Sequence, residues 1–211
     1  MLQVDQRKAF YALFAQLFCY PDRQLGELLG TAGARDLCAL LGTVPPELSP
    51  ETLAEELPTA YTALFINRLG GVTAPPYGSV YLESGGQLMG ETTRQVSAWY
   101  VRMGLRPESP GEPPDFLATE LEFLYFLVDR EETAGKSGDA QSARAAALEQ
   151  ARFAAELFLP WIAPFCLRVS NDANAHPFYR QAAEMLARFV VIEKSWLEQK
   201  LSGTQTNGGS H

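Results

Sequence analysis

Apolar residues in this chain recur three and four positions apart, and nowhere do they alternate over the length of a strand. Phe10, Leu13, Phe14, Leu17 and Phe18 share one face of a helix over residues 4–19, closed by Tyr20-Pro21-Asp22. Ser49-Pro50 opens a second pattern, in which Leu53, Leu57, Tyr61, Leu64 and Phe65 share a face up to residue 66. Val96, Tyr100 and Met103 mark a helix from Glu91, stopped by Gly104. From Phe116 to Val128 the apolar set wraps most of the helix surface, which predicts a central, buried helix over 116–131. Thr133–Asp139 reads as a polar loop, and an alanine-rich helix follows over 142–159. Pro160 and Pro164 predict a kink or a restart before a separate helix at 161–169. Phe178, Met185, Leu186, Phe189 and Trp196 set the core face of a long last helix from Pro177 to Leu201. With shorter helices at 23–30 and 34–42, the pattern predicts an all-α, single-domain bundle of about eight to eleven helices. It spans residues 1–202 and leaves a polar, glycine-rich, disordered tail at 203–211.

A chain of 211 residues can bury one sizeable core. Its net charge of −8 disfavours nucleic acid, which needs clustered Lys and Arg, and favours a basic partner. Cys19, Cys38 and Cys166 form no CxxC pair and leave an odd count, so they read as small core residues in a reducing compartment. The N-terminus lacks the long apolar run of a signal peptide, and no unbroken apolar run reaches the length of a membrane span. The expected location is the cytoplasm.

Two irregular segments interrupt the helices. Residues 67–90 carry Gly70, Gly71, Pro75, Pro76, Gly78, Gly85, Gly86 and Gly90, together with Tyr77, Val80, Tyr81 and Leu82. A loop this long that keeps its aromatics packs over the helices and presents a surface. The second segment, 106–114, ends in Glu112-Pro113-Pro114-Asp115.

The residues of a catalytic machine are missing from the sequence. His176 precedes Pro177 as a cap or turn residue, and His211 ends the tail. No ExxH pair, HExxH, Walker A motif, GxSxG elbow or Cys/His cluster occurs, so no metal and no cofactor is expected. Glu55-Glu56, Glu131-Glu132 and the pair Glu120 and Glu122 read as solvated charge. Glu112 and Asp115 differ, because Pro113-Pro114 restricts the backbone between them. Two roles stand open for them: capping of the following helix by Asp115, or a rigid acidic pair that meets a basic or amide-rich ligand. Tyr61, Phe65, Tyr77, Tyr81, Trp99 and Tyr100 likewise suit either a core or the floor of a peptide groove.

Four ordered segments carry a resemblance. They are Tyr61-Thr62-Ala63-Leu64-Phe65 with Asn67 and its glycine pair, the stretch Ala74-Pro75-Pro76-Tyr77-Gly78-Ser79-Val80-Tyr81-Leu82-Glu83, Glu112-Pro113-Pro114-Asp115-Phe116 running into Leu121-Glu122-Phe123-Leu124, and His176-Pro177-Phe178-Tyr179. Together they resemble the TorD/DmsD family of redox-enzyme maturation chaperones, which includes the NarJ-type proteins. The third segment departs from the family's E-P-x-D-H signature, because Phe116 stands where the family has histidine.

The resemblance implies an all-α cytoplasmic chaperone, not an enzyme. It implies binding of the twin-arginine signal peptide of a molybdopterin-containing oxidoreductase, which is held back from Tat export until its cofactor is inserted. Tyr61, Phe65, Pro76, Tyr77 and Tyr81 are then expected on the apolar side of a groove, with Phe116 adding apolar contact and Ser79 a further peptide-binding residue. Glu83, Glu112 and Asp115 are expected to meet the arginines, with Pro114 fixing the direction of Asp115. Expected partners are the precursor enzyme and molybdenum-cofactor biosynthesis proteins, with the chaperone as monomer or domain-swapped dimer. A nucleotide-binding switch and an assembly subunit of a redox complex are the alternatives, and the switch lacks a P-loop.

Overall fold

A computed structural model of the chain describes residues 2–106 and 111–205. Ten α-helices are present among the described residues: α1 (Val4–Phe18), α2 (Arg23–Leu29), α3 (Ala32–Leu40), α4 (Leu57–Tyr61), α5 (Gly78–Leu82), α6 (Glu91–Arg102), α7 (Leu117–Lys136), α8 (Ala140–Phe153), α9 (Leu159–Asn171) and α10 (Pro177–Gln205). The described residues form no strand, so the all-α expectation holds. Helix α7 is central, packed between α1 and α8, while α10 closes the bundle over α8, α9 and α1. Seven apolar residues of α7 are buried (Leu117, Ala118, Leu121, Phe123, Leu124, Leu127 and Val128), which is why its apolar set runs around most of its surface.

Three π-helical turns adjoin these helices: Thr52–Glu56 and Thr62–Ile66 flank α4, and Ala154–Phe158 joins α8 to α9. Two of them precede a proline, Pro58 and Pro160. A proline ring clashes with the carbonyl four residues back, here those of Ala54 and Glu156. Both carbonyls lie within π turns, whose wider ladder relieves the clash without breaking the helix. The chain is therefore helical through Ala140–Asn171, where the sequence predicted a kink or restart. By length and composition this stretch is apolar enough to cross a membrane, a property that the search for unbroken apolar runs missed. Half of its most apolar window is buried inside the fold, which accounts for that character.

Several boundaries shift. The loop expected at Thr133–Asp139 is mostly helix, because α7 continues to Lys136 and Asp139 caps α8 by accepting from the Ser142 amide at 2.9 Å. Helix α10 runs to Gln205, three residues into the expected tail, and residues 206–211 lie outside the described residues. The linker expected at 106–114 is described at its two ends, with residues 107–110 outside the described residues. Gly104 adopts φ +79° after α6, the left-handed stop its position predicts. His176 accepts from the Phe178 amide through Nδ1 at 3.2 Å, and so caps α10.

One buried ion network fixes the bundle. Arg7 on α1 is 1% exposed and donates to Glu193 on α10, from Nε at 2.8 Å and from Nη2 at 2.6 Å. Its Nη1 donates to Glu131 on α7 at 3.1 Å, and its Nη2 also donates to Gln150 on α8. Tyr11 donates to the same Glu193 at 2.9 Å, and the guanidinium lies 3.3 Å from the Trp196 ring centroid. Glu131 and Glu132, which read as solvated charge, are thus engaged: Glu132 pairs with Lys8 and Lys136. Truncating Arg7 strands Glu193, which is 2% exposed, as an unpaired buried charge. Arg7→Ala is expected to cost about 3–5 kcal/mol in urea denaturation. A loss below about 1 kcal/mol, the worth of an exposed pair, contradicts this reading.

Candidate functional site

The two irregular segments meet. Tyr77 and Phe116 form an isolated antiparallel bridge. The Gly78 amide donates to the Asp115 carbonyl at 2.9 Å, and the Leu117 amide donates to the Pro76 carbonyl at 2.8 Å. The Asp115 carboxylate then accepts from the Ser79 amide through Oδ2 at 2.7 Å. It therefore caps α5, a helix 36 residues earlier, and not the helix that follows it. Phe116 occupies the N-cap position of α7 and makes no side-chain cap. Tyr100 donates to the Pro114 carbonyl at 2.8 Å, and Tyr77 donates to Glu112 at 2.8 Å. The Tyr77 and Phe116 rings lie 5.6 Å apart.

Under this clasp sits a buried carboxyl. Glu120 is 0% exposed and accepts from Trp161 Nε1 at 3.2 Å, a correction to its reading as surface charge. A Cβ placed on Gly78 meets Trp161 Nε1 at 3.1 Å and Glu120 Oε1 at 3.3 Å, so the close approach of α5 to α7 and α9 favours glycine there. Burial pushes the Glu120 carboxyl well above its ordinary range, and the nearby Asp115 adds to the shift.

The clasp divides the expected groove residues. Asp115 is buried, so its carboxylate reaches Ser79 and not solvent, which corrects the expectation that it meets a ligand arginine. Glu83 accepts from the Thr92 amide at 2.6 Å and so caps α6. Tyr61 and Phe65 are core residues, 5.0 Å apart by ring centroid, with the Tyr61 hydroxyl donating to the Phe18 carbonyl. Pro76 and Ser79 are buried within the clasp. Tyr81 stacks on Trp161 at 5.5 Å under the Arg168 guanidinium. Phe116 is buried except for 7% of its surface. Tyr77, Glu112 and Pro114 remain at the surface.

Beside the clasp opens a cavity of about 410 Å³. Tyr100, Leu105, Pro114, Phe123 and Phe126 supply apolar lining, Glu112 and Glu122 line it with carboxylates, and Arg106 is its one lining cation among the described residues. Both carboxylates are exposed. Asp22, which is not among the residues lining the cavity, caps α2 by accepting from the Leu25 amide at 3.1 Å. Burial pushes the Cys19 thiol up to about 11, and the negative charges of Glu122, Asp22 and Glu112 add to the shift. Cys19 is thus partly exposed beside acidic residues, while Cys38 and Cys166 are core as predicted. Glu122 lines the cavity although it read as solvated charge, and Cys19 is partly exposed although it read as core, because the fold and not the local sequence sets their surroundings. No group of His, Cys, Asp and Glu among the described residues could hold a metal ion.

Comparison with known proteins fits this arrangement. Residues 27–167 match the family described as nitrate reductase delta subunit. The TorD chaperone of Ferrimonas balearica is 30% identical over 220 residues, covering 95% of this chain and 94% of that one. The chain belongs to the TorD/DmsD family of redox-enzyme maturation chaperones. The selenate reductase assembly chaperone of Thauera selenatis is a second relative of this family member, 31% identical over 90% of this chain and 89% of its own length. The Tat proofreading chaperone DmsD of Salmonella typhimurium is 33% identical over 66% of this chain, a match that spans 60% of DmsD. An Archaeoglobus fulgidus protein assigned to redox-enzyme maturation shares the fold, with a TM-score of 0.58 at 24% identity over 89% of this chain and 94% of that one. The relatives of this TorD/DmsD-family chain carry the names of chaperones and not of catalysts.

Glu120 makes the clasp sensitive to pH. Its carboxyl ionises near 4.5 when unfolded and much higher when folded, so the folded state holds a proton that the unfolded state releases. This group therefore costs stability as pH rises above about 4.5. Glu120→Gln removes that cost: its melting temperature relative to wild type is expected to rise between pH 4 and pH 8. A difference that does not change with pH contradicts a buried, protonated Glu120.

Proposed function

We propose that this chain binds the twin-arginine signal peptide of a molybdopterin-containing oxidoreductase precursor in the cytoplasm and holds it until the cofactor is inserted and the enzyme can be exported. The supporting observation is the 410 Å³ cavity, apolar along Tyr100, Phe123 and Phe126 and acidic at Glu112 and Glu122. A twin-arginine signal combines a basic segment with an apolar one, and this lining complements both. The net charge of −8 assists encounter with a basic peptide. Tyr77 holds Glu112 by a hydrogen bond of 2.8 Å, which lowers the entropy lost when an arginine pairs with it.

Within this reading Phe116 supplies apolar packing behind Tyr77 where the family signature has a titrating ring, so the capture step needs no histidine. Asp115, Ser79 and Pro76 build the wall of the site and do not touch the peptide. Molybdenum-cofactor biosynthesis proteins are partners in the same process, and the working form is a monomer or a domain-swapped dimer.

Isothermal titration calorimetry with a twin-arginine signal peptide tests the reading. Replacing Glu112 and Glu122 together by Gln is expected to weaken binding about 2- to 30-fold, two rim ion pairs being worth roughly 0.2–1 kcal/mol each. The wild-type affinity is expected to fall with added salt, and that dependence to shrink in the double variant. Equal affinity of both proteins at low salt overturns the assignment.

A further inference from the structure

A larger concave surface lies elsewhere. A groove of about 920 Å³ runs between α9 and α10, floored by Ala163, Cys166, Ala183 and Ala187. The Val44 carbonyl accepts from Gln181 at 2.7 Å and the Leu41 carbonyl accepts from Arg188 at 3.0 Å, so the chain before residue 45 is pinned along α10 as the groove's wall. Leu167 also borders a second hollow of about 550 Å³ beside the turn Arg68-Leu69-Gly70-Gly71, and the two hollows together form one path on this side of the molecule. Val44, Leu69 and Leu167 line this path, and all three are exposed, Leu69 fully. The path shares no lining residue with the acidic cavity.

The charges of the path run against those of the chain. Four arginines line it, Arg68, Arg168, Arg180 and Arg188, with two carboxylates, Asp172 and Glu184. Asp172 is taken by Arg68 at 2.5 Å, and Glu184 by Arg188 at 2.5 Å. Arg168 lies 4.4 Å from the Tyr81 ring centroid. Neither Arg168 nor Arg180 has a carboxylate partner among the described residues. An apolar trough with two uncompensated cations thus sits on a protein of net charge −8.

We propose that this groove is a second docking surface, and that it takes an amphipathic helical segment of a partner polypeptide whose apolar stripe is flanked by carboxylates. Apolar contact comes from Val44, Leu69 and Leu167, and Arg168 and Arg180 pair with the flanking acids. The concave shape between two helices suits a rod-like segment and not a flat bilayer. The chain's own residues 206–211 are polar and carry no apolar stripe, so they do not supply the occupant.

The test uses the full chain and a fluorescein-labelled helix of about 18 residues, five turns, with leucines on one face and glutamates beside them. Companion peptides carry lysine or glutamine in place of glutamate. Fluorescence anisotropy is expected to show binding of the glutamate peptide, weaker binding of the glutamine peptide and none of the lysine peptide. Arg180 is half-buried and Leu167 exposed, and neither belongs to the core; Arg180→Glu and Leu167→Ser are each expected to weaken the glutamate peptide about tenfold. The same variants leave twin-arginine peptide affinity unchanged, which separates the two surfaces. Equal binding of glutamate and lysine peptides, or affinity unmoved by both variants, overturns the proposal. So does a chain dimer dispersed by Leu167→Ser in sedimentation, which assigns the groove to a second copy. Binding confined to anionic phosphatidylglycerol vesicles overturns it in favour of a lipid surface.

Discussion

The Asp115 carboxylate, accepting from the Ser79 amide at 2.7 Å, is a buried contact between two segments that lie far apart in the chain. The interaction is a helix cap supplied from a distance. Short helices are marginal in water without tertiary support, and α5 spans five residues, Gly78–Leu82. Its N-terminus is held by a buried carboxylate, and two backbone hydrogen bonds between 76–78 and 115–117 complete the join. The residues of the clasp are positioned together with this contact. Tyr77 is turned toward Glu112, Pro114 toward Tyr100, and Gly78 onto Trp161 and Glu120.

That constraint redistributes the acidic residues. A carboxylate with no solvent exposure cannot meet a ligand's arginine, so Asp115 is architecture and the exposed negative charge passes to Glu112 and Glu122. Glu83 is drawn into the same architecture as the cap of α6. Three carboxylates that the sequence places together thus have two different duties, and burial decides which. The bundle beneath is held independently by the Arg7 network, which spans α1, α7, α8 and α10. A rigid base of this kind lets the loops above it carry recognition.

Much of this was legible in the sequence where the determinants are local. Phe10 to Phe18 predicted α1 to within a residue, and Gly104 marked the stop of α6. Phe116 to Val128 foretold a buried α7. The misses share one cause, interaction between residues far apart in the chain. Helix α5 was invisible because its cap lies 36 residues away. Arg7 and Glu193, 186 residues apart, looked like ordinary charges. Glu120 and Glu122 looked alike, yet one touches Trp161 in the core and the other lines the cavity. Pro160 read as a break because the sequence does not announce the π turn that absorbs it. Within the candidate site, Tyr77, Glu112 and Pro114 were found at the surface, while Tyr61 and Phe65 proved to be core.

The central claim is that Asp115 holds the two segments together through the Ser79 amide. Hydrogen exchange at single-residue resolution by NMR, on wild type and Asp115→Ala, addresses it directly. The variant is expected to lose protection at Ser79, Gly78 and Leu117 by about tenfold or more, a cap being worth roughly 1–2 kcal/mol, while amides in the middle of α1 and α10 exchange as in wild type. Unchanged protection at Ser79 and Gly78 contradicts the claim.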